Sequence, residues 1–310
     1  MSPRVLILGL GHWGQTLAYL FKQQGCTVSC WGRSQGALSA ALVQDIHFLV
    51  SALPIKAVRE VAAQVAVLQP PLGIILVSAT KGLESETFAT AADIWQTYCP
   101  HHNLVVLSGP NLASEIQQGL PAAAVVGGNL SATKQVQDCL GSTTFRLYSN
   151  ADRRGVEMGG IFKNVIAIAC GVNDGLGLGV NARSALITRG LVEMVRVGTH
   201  WGGQVETFYG LSGLGDLLAT CTSALSRNYQ VGWHLAHGKS LSEALALTKG
   251  TAEGVNTARV LYTYAQQHQL DLPITAMVNA VLGGNLTPHA ALKCLLERPF
   301  KPEIIPGQGF

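Results

Sequence analysis

Residues Val5 to Leu8 form a short branched, apolar run that leads straight into Gly9-Leu10-Gly11-His12-Trp13-Gly14 and then into a helical pattern. The string G-x-G-x-x-G constrains little by itself, but between a strand and a helix it describes one particular turn. The first glycine makes the tight turn, the second lets the backbone approach a pyrophosphate, and the third lets the helix pack against the strand. The helix N-terminus then faces the phosphates with unpaired N–H groups. Past the turn, Leu17, Leu20, Phe21 and Gln24 follow the i, i+3, i+4, i+7 spacing of a helix laid on a sheet, and Gly25 is placed to stop it. The spacing predicts a dinucleotide-binding βα unit with Gly9, Gly11, His12, Trp13 and Gly14 at the cofactor.

The first half continues in the same manner. Strands are predicted at Arg4 to Gly9, Thr27 to Trp31, Ile46 to Ala52, Gly73 to Ser78, Leu104 to Leu107 and Ala122 to Val126, with helical stretches between them. That alternation is the pattern of a parallel sheet covered by helices. After about Asp152 it gives way to helical period alone, as in Val156 to Gly171, Asn181 to His200 and Glu253 to His268. A capping box, Ser240 to Glu243, and Thr287 before Pro288 mark two further helix starts. The expected architecture is α/β: a Rossmann-type doubly wound domain at 1–151, then an all-helical substrate domain at 152–310, with a ligand cleft between them. A fold that selects NAD usually carries Asp or Glu about 20 residues after the glycines. Here Trp31-Gly32-Arg33-Ser34 stands at that place, and the first carboxylate in the chain is Asp45. Arg33 suits a 2′-phosphate, so NADP(H) is expected to be preferred, with NAD(H) also admitted.

Composition narrows the partners. Charged residues are 13% of the chain, and 21 Lys and Arg against 18 Asp and Glu leave a net charge of +3 with neither half holding the excess. No basic face for nucleic acid is expected. Apolar residues reach 48%, yet no window approaches the uninterrupted apolar stretch of about 18 residues that a membrane span requires. The run Val5 to Leu10 is too short for an export signal and is read as a mature N-terminus. Seven cysteines, odd in number and without a C-x-x-C pair, read as buried thiols in a reducing cytoplasm. His234 and His237 have a spacing that can bind metal, but no Cys, Asp or Glu completes a site, and no metal is expected. Trp201 and Trp233 read as core residues, and Gly175, Gly177 and Gly179 as a turn between helices.

Several polar segments interrupt this apolar chain. Lys81 follows the strand ending at Ser78; Gly109 and Asn111 follow the next; Lys163-Asn164 interrupts an apolar helix; Asp216 follows Gly213-Leu214-Gly215; and Ser226-Arg227-Asn228 comes shortly after. Each has a bland reading: a cap, a snorkelling amine, a solvated charge. In order, with Leu53-Pro54, Thr80 to Glu84, Ser108 to Glu115, Gly119 to Pro121, Lys163 to Val165, Asn173 to Asn181, Arg189 to Leu191, Gly210 to Leu217, Ser226 to Asn228, Glu253 to Val255 and Arg298-Pro299, they make a set. That set resembles the bacterial-type NAD(P)-dependent glycerol-3-phosphate dehydrogenase family over nearly the whole chain.

The resemblance implies reversible reduction of dihydroxyacetone phosphate to sn-glycerol 3-phosphate, the backbone of glycerophospholipids. It implies Lys163 and Asp216 as catalytic residues, and Lys81, Gly109, Asn111, Ser226, Arg227 and Asn228 with them at the substrate. It adds Lys81, Ala113, Arg227 and Glu253 to the glycine turn and Arg33 at the cofactor, and it carries a homodimer. The chain departs from the family in a short segment of about a dozen residues between the second strand and Asp45, and in Asn111 where Ser or Thr is common. A reductase of 3-hydroxy acids or ketopantoate is disfavoured by Ser226-Arg227-Asn228, which suits a phosphate. A non-catalytic NADPH sensor is disfavoured by the presence of Lys163 and Asp216.

Overall fold

The computed structural model describes residues 2–248, 250, 252–300 and 302–303. Seven strands, β1 (Arg4–Leu8), β2 (Thr27–Trp31), β3 (Phe48–Ser51), β4 (Ile75–Ser78), β5 (Asn103–Ser108), β6 (Ala122–Gly127) and β7 (Phe145–Asn150), form one sheet in the order β2-β1-β3-β4-β5-β6-β7. The pairs from β2 to β5 are parallel, in registers such as Leu8 with Ser51 and Ser51 with Ser78. The strand order reverses at β1, which puts the glycine turn at the switch point where open α/β sheets bind ligands.

Two features differ from the expectation of a six-stranded parallel sheet. β6 runs antiparallel to β5, and β7 pairs with β6 beyond it. β7 is an edge strand of sequence Phe-Arg-Leu-Tyr-Ser-Asn with only Phe145 buried, so it lacks the apolar run that betrays an internal parallel strand.

Six helices cover the sheet: α1 (His12–Gln23), α2 (Ala40–Val43), α3 (Ile55–Val67), α4 (Ala91–Tyr98), α5 (Ala113–Gln117) and α6 (Leu130–Leu140). Alternation along β1 sorts the two faces. Val5 and Ile7 pack with Leu17, Leu20 and Phe21 of α1 and Val136 and Leu140 of α6, whereas Leu6 and Leu8 pack with Val58, Val61 and Val65 of α3 and Trp95 of α4. The sheet is therefore doubly wound. Gly25, at φ +77°, ends α1 as its position predicts.

The remainder is helical: α7 (Arg153–Gly175), α8 (Gly179–His200), α9 (Val205–Phe208), a single π-helical turn at Leu211–Gly215, α10 (Asp216–Cys221), α11 (Arg227–Ala236), α12 (Leu241–Leu247), α13 (Glu253–His268), α14 (Pro273–Leu282) and α15 (Pro288–Leu296). The cap box at Ser240 and the Thr287 cap both form. Helix α7 is long and apolar enough to cross a membrane, but 94% of that apolar window is buried inside the protein. It is the central helix of the second half, with α8, α10, α11 and α13 around it.

Buried carboxylates tie this helical set to the sheet half and to itself. Glu157 of α7 accepts from Ala92 N at 2.9 Å and so reaches across to α4, while Glu193 of α8 accepts from Ile274 N at 2.6 Å and Thr275 N at 3.1 Å at the start of α14. Burial pushes both carboxyls up to about 7, against the pull of those donors.

Candidate active site

The glycine turn has the shape its sequence predicts. Gly9 has φ +107°, and a Cβ there would stand 2.6 Å from Ala52 O at the end of β3, so only glycine fits. A Cβ on Gly14 would collide with Gly9 O, whereas one on Gly11 would meet nothing within 4 Å. Gly11 thus leaves backbone open to solvent at the N-terminus of α1, the room a pyrophosphate needs. Gly9 N donates to Trp31 O at 2.8 Å, which holds the end of β2 beside the turn. Arg33, exposed, begins a 3₁₀ turn directly after it. His12 is exposed, and Trp13 has an indole Nε1 that is buried without a hydrogen-bond partner among the described residues.

Three ionic groups meet at the carboxyl edge of the sheet. Lys163 of α7 and Lys81, from the loop after β4, both donate to the carboxylate of Asp216 at the start of α10: Lys163 to Oδ1 and Lys81 to Oδ2 at 2.6 Å. Lys163 Nζ also donates to Thr220 Oγ1 at 2.8 Å, and Lys81 Nζ lies 3.4 Å from Gly109 O. Asp216 is 1% exposed and Lys163 8%. Two ammonium groups share one buried carboxylate, so the cluster carries an excess positive charge. Burial pushes the Lys163 ammonium down to about 8; Asp216 opposes that shift and the charge of Lys81 adds to it. A lysine held near neutral pH can give or take a proton there, and the paired charges would stabilise an alkoxide formed beside it.

Glycine and serine make room for this cluster. A Cβ at Gly160, one turn before Lys163 on α7, would collide with Ser108 Oγ and come within 3.4 Å of the Lys81 stem. Gly109 has φ +139°, and a Cβ there would stand 2.9 Å from Ala124 Cα. The hydroxyls of Ser78 and Ser108, at the ends of β4 and β5, are buried without hydrogen-bond partners among the described residues. The Asn111 amide faces the carbonyls of Ala123 and Pro110, acceptors that its nitrogen satisfies once the amide is turned over, at 3.2 and 3.3 Å, and Ala113 is the first residue of α5.

The Ser226-Arg227-Asn228 segment opens α11. Ser226 caps the helix by accepting from Tyr229 N at 3.3 Å. The Asn228 amide bridges helices: Nδ2 donates to Asn164 Oδ1 at 2.9 Å, and Oδ1 accepts from Gly254 N at 2.9 Å. Arg227 is exposed and lies over Gly250, where a Cβ would stand 2.9 Å from Nη1. Its charge reaches Glu253, the first residue of α13, whose carboxyl is raised by burial and drawn back by Arg227, Lys56 and the backbone of Ile55.

Lys81, Gly109, Lys163 and Asp216 are therefore in direct contact, and Arg227 and Glu253 form a second charged group. Arg33 stands apart, at the edge strand beside the glycine turn. Sequence reasoning missed Thr220, although it lies one helical turn after Asp216, and it missed the Asn164–Asn228 bridge. Trp201 stacks on Tyr264 with ring centroids 3.8 Å apart, but Trp233 is 40% exposed rather than core and lies against His237. Gly177 and Gly179, with φ of +68° and +84°, lie at the turn between α7 and α8 as expected, but Gly175 is the last residue of α7 rather than part of the turn. Among the described residues, no group of three or more His, Cys, Asp or Glu could hold a metal ion.

A groove of about 720 Å³ lies away from this cluster, between α7, α8, α14 and α15, lined by side chains such as Leu178, Leu186, Met277 and Leu296. Its lining also carries Glu193, Arg189, Arg196 and Asp271, but the Glu193 carboxylate is taken up by Ile274 N, Thr275 N and Thr275 Oγ1, and no lysine is among the described residues that line it. The cluster of Lys163, Asp216 and Lys81 is therefore the candidate active site.

Residues 37–134 match the family described as NAD-dependent glycerol-3-phosphate dehydrogenase N-terminus, and residues 152–293 its C-terminus. A glycerol-3-phosphate dehydrogenase [NAD(P)+] of Thermosynechococcus vestitus is 93% identical over 99% of this chain and 100% of its own. One of Trichormus variabilis is 54% identical over 96% and 98%. The crystal structure of glycerol-3-phosphate dehydrogenase from Coxiella burnetii superposes with a TM-score of 0.90 at 33% identity, covering 96% of this chain and 99% of that one.

Proposed function

The chain belongs to the NAD-dependent glycerol-3-phosphate dehydrogenase family, and from that premise we infer that it reduces dihydroxyacetone phosphate to sn-glycerol 3-phosphate, reversibly, with NADPH preferred and NADH accepted. The product is the backbone of glycerophospholipids. The observation that carries the mechanism is the pair of ammonium groups, Lys163 buried and Lys81 half-buried, on the buried carboxylate of Asp216.

The glycine turn fits the cofactor: Gly11 has open space where a side chain would obstruct, and Gly9 and Gly14 admit no Cβ. When bound, the reduced nicotinamide supplies the hydride that the ketone carbon accepts. The protein residues supply the rest. Lys163, as ammonium, gives its proton to the carbonyl oxygen as that oxygen becomes an alcohol, and is reprotonated from water. Asp216 keeps that ammonium charged and aimed, with Thr220 as its second acceptor. Lys81 adds a positive charge beside the developing alkoxide. Arg227, permanently charged and exposed at the first turn of α11, takes the substrate phosphate with Ser226 and Asn228 framing it. Asn228 has both ends of its amide engaged in bridging α7 and α13, which supports a role in shaping that pocket. Gly109 and Asn111 border the substrate from the sheet side. Gly9, Gly11, His12, Trp13, Gly14, Arg33, Lys81, Ala113, Arg227 and Glu253 line the cofactor path. In this reading residues 1–151 are the cofactor domain and 152–310 the substrate domain.

Arg33 carries the cofactor preference. Arg33→Asp is expected to lower kcat/KM for NADPH by about tenfold to a hundredfold, the loss of a charge-assisted phosphate contact, and to raise NADH use relative to it. Steady-state rates with each cofactor check this; a wild-type enzyme that prefers NADH contradicts it.

The protein is proposed to act in the cytoplasm as a homodimer. The apolar groove between α7, α8, α14 and α15, with Val180 and Leu296 exposed near it, supports pairing of two copies. Sedimentation showing only monomer at micromolar concentration would contradict it.

A further inference from the structure

Lys81 sits on a loop of the sheet half, yet the carboxylate it reaches belongs to the helical half. Two ammonium groups on one carboxylate repel each other, which offsets part of the attraction that holds Lys81 at Asp216. What fixes its loop is visible on both sides.

From the sheet half, Thr80 Oγ1 donates to Leu53 O at 2.9 Å. Arg59 of α3 grips Glu84 with two parallel bonds, Nε to Oε1 at 2.6 Å and Nη2 to Oε2 at 2.5 Å. From the helical half, Asn256 of α13 takes hold of the same segment with both ends of its amide. Its Nδ2 donates to Leu83 O at 2.8 Å, and its Oδ1 accepts from Ser85 Oγ at 2.8 Å. One turn earlier on α13, the Glu253 carboxylate lies against Gly82, where a Cβ would stand 3.3 Å from Oε2 and 3.0 Å from Ile55. The segment that carries Lys81 is thus clamped between α3 and α13.

We propose that Asn256 is a positioning residue for the reduction: it ties the Lys81 loop to the helical half, so that Lys81 stands on Asp216 only while α13 is seated against Leu83 and Ser85. Asn256 touches neither the reacting atoms nor the cofactor path; it acts through Lys81. The inference rests on the reaction assigned above.

Removing this tie has a consequence that a loss of folding would not produce. The ionisable groups around Lys163 are Asp216 on α10, the neighbouring Cys221 thiol, and Lys81. If Lys81 withdraws, its repulsion is lost and Asp216 is left to Lys163 alone; both changes raise the Lys163 pKa. Reduction needs Lys163 protonated, so the high-pH limb of kcat moves to higher pH.

The test is steady-state kinetics of full-length Asn256→Ala and Ser85→Ala across pH, with circular dichroism to show the folded state. For Asn256→Ala, kcat is expected to fall about tenfold, the equivalent of one or two lost hydrogen bonds. The limb rises by about half a pH unit or more. Ser85→Ala shifts it in the same direction by less, and Asn256→Gln, which keeps the amide on a longer stem, recovers part of the rate. A folded Asn256→Ala with wild-type kcat and an unmoved limb overturns the proposal, as does a rate loss that only tracks the unfolded fraction. If the wild type itself does not oxidise NADPH with dihydroxyacetone phosphate, it is the assigned reaction that fails instead.

Discussion

Replacing Lys163 with Met is expected to lower kcat for dihydroxyacetone phosphate reduction on the order of a thousandfold or more, with NADPH binding retained. Two contributions vanish together: the proton donor to the carbonyl oxygen, worth roughly a hundred- to ten-thousandfold, and one of the two charges facing the alkoxide. Met fills nearly the same volume in an apolar helix. Because burial already pushes the Lys163 ammonium down to about 8, exchanging it for a thioether removes a desolvated charge and leaves Asp216 still paired with Lys81. The fold is therefore expected to survive. Rates beside fluorescence titration with NADPH check this; a variant retaining a tenth or more of wild-type kcat rules Lys163 out as the proton donor.

Asp216→Asn produces the second large effect, and its pH dependence carries a sign. Asp216 is what holds the Lys163 ammonium up against burial and the repulsion of Lys81. With an amide in its place, both opposing influences remain and the pKa of Lys163 falls below about 8. The reduction requires the charged form, which is populated below the pKa, so the high-pH limb moves to lower pH. At pH 8 the variant should lose about a hundredfold or more in kcat and recover part of it toward pH 6, as acid restores the ammonium. This direction is opposite to that expected for Asn256→Ala, which makes the pair diagnostic. A limb that stays in place or moves upward contradicts the role given to Asp216.

How much of this was legible in the sequence depended on whether the chemistry was local. The glycine turn is a contiguous string whose φ values and close approaches follow from residue type, so Gly9, Gly11 and Gly14 could be assigned from spacing alone. The strands of the parallel core announce themselves because both faces are buried. β7 does not, since most of its side chains face solvent, and the antiparallel entry of β6 leaves no mark on a run as plain as Ala122 to Gly127. Lys163 was visible as a charge interrupting an apolar helix. Its partners were harder: Asp216 lies 53 residues away and Lys81 82, and only resemblance to a family placed all three together. Thr220 and Asn256 are ordinary helix residues by sequence, and nothing local distinguishes a hydroxyl or an amide that spans two halves of a chain from one that points to water. Trp233 shows the reverse error, since a large indole reads as core whether or not the fold covers it.

Oxidation of NADPH by the wild-type protein with dihydroxyacetone phosphate, followed from pH 6 to 10 beside Lys163→Met, tests the central claim most directly. The account predicts turnover that declines with a limb near pH 8, the value to which burial brings Lys163, and that all but disappears in the variant. Absence of turnover in the wild type, or an active Lys163→Met with the same limb, would contradict it.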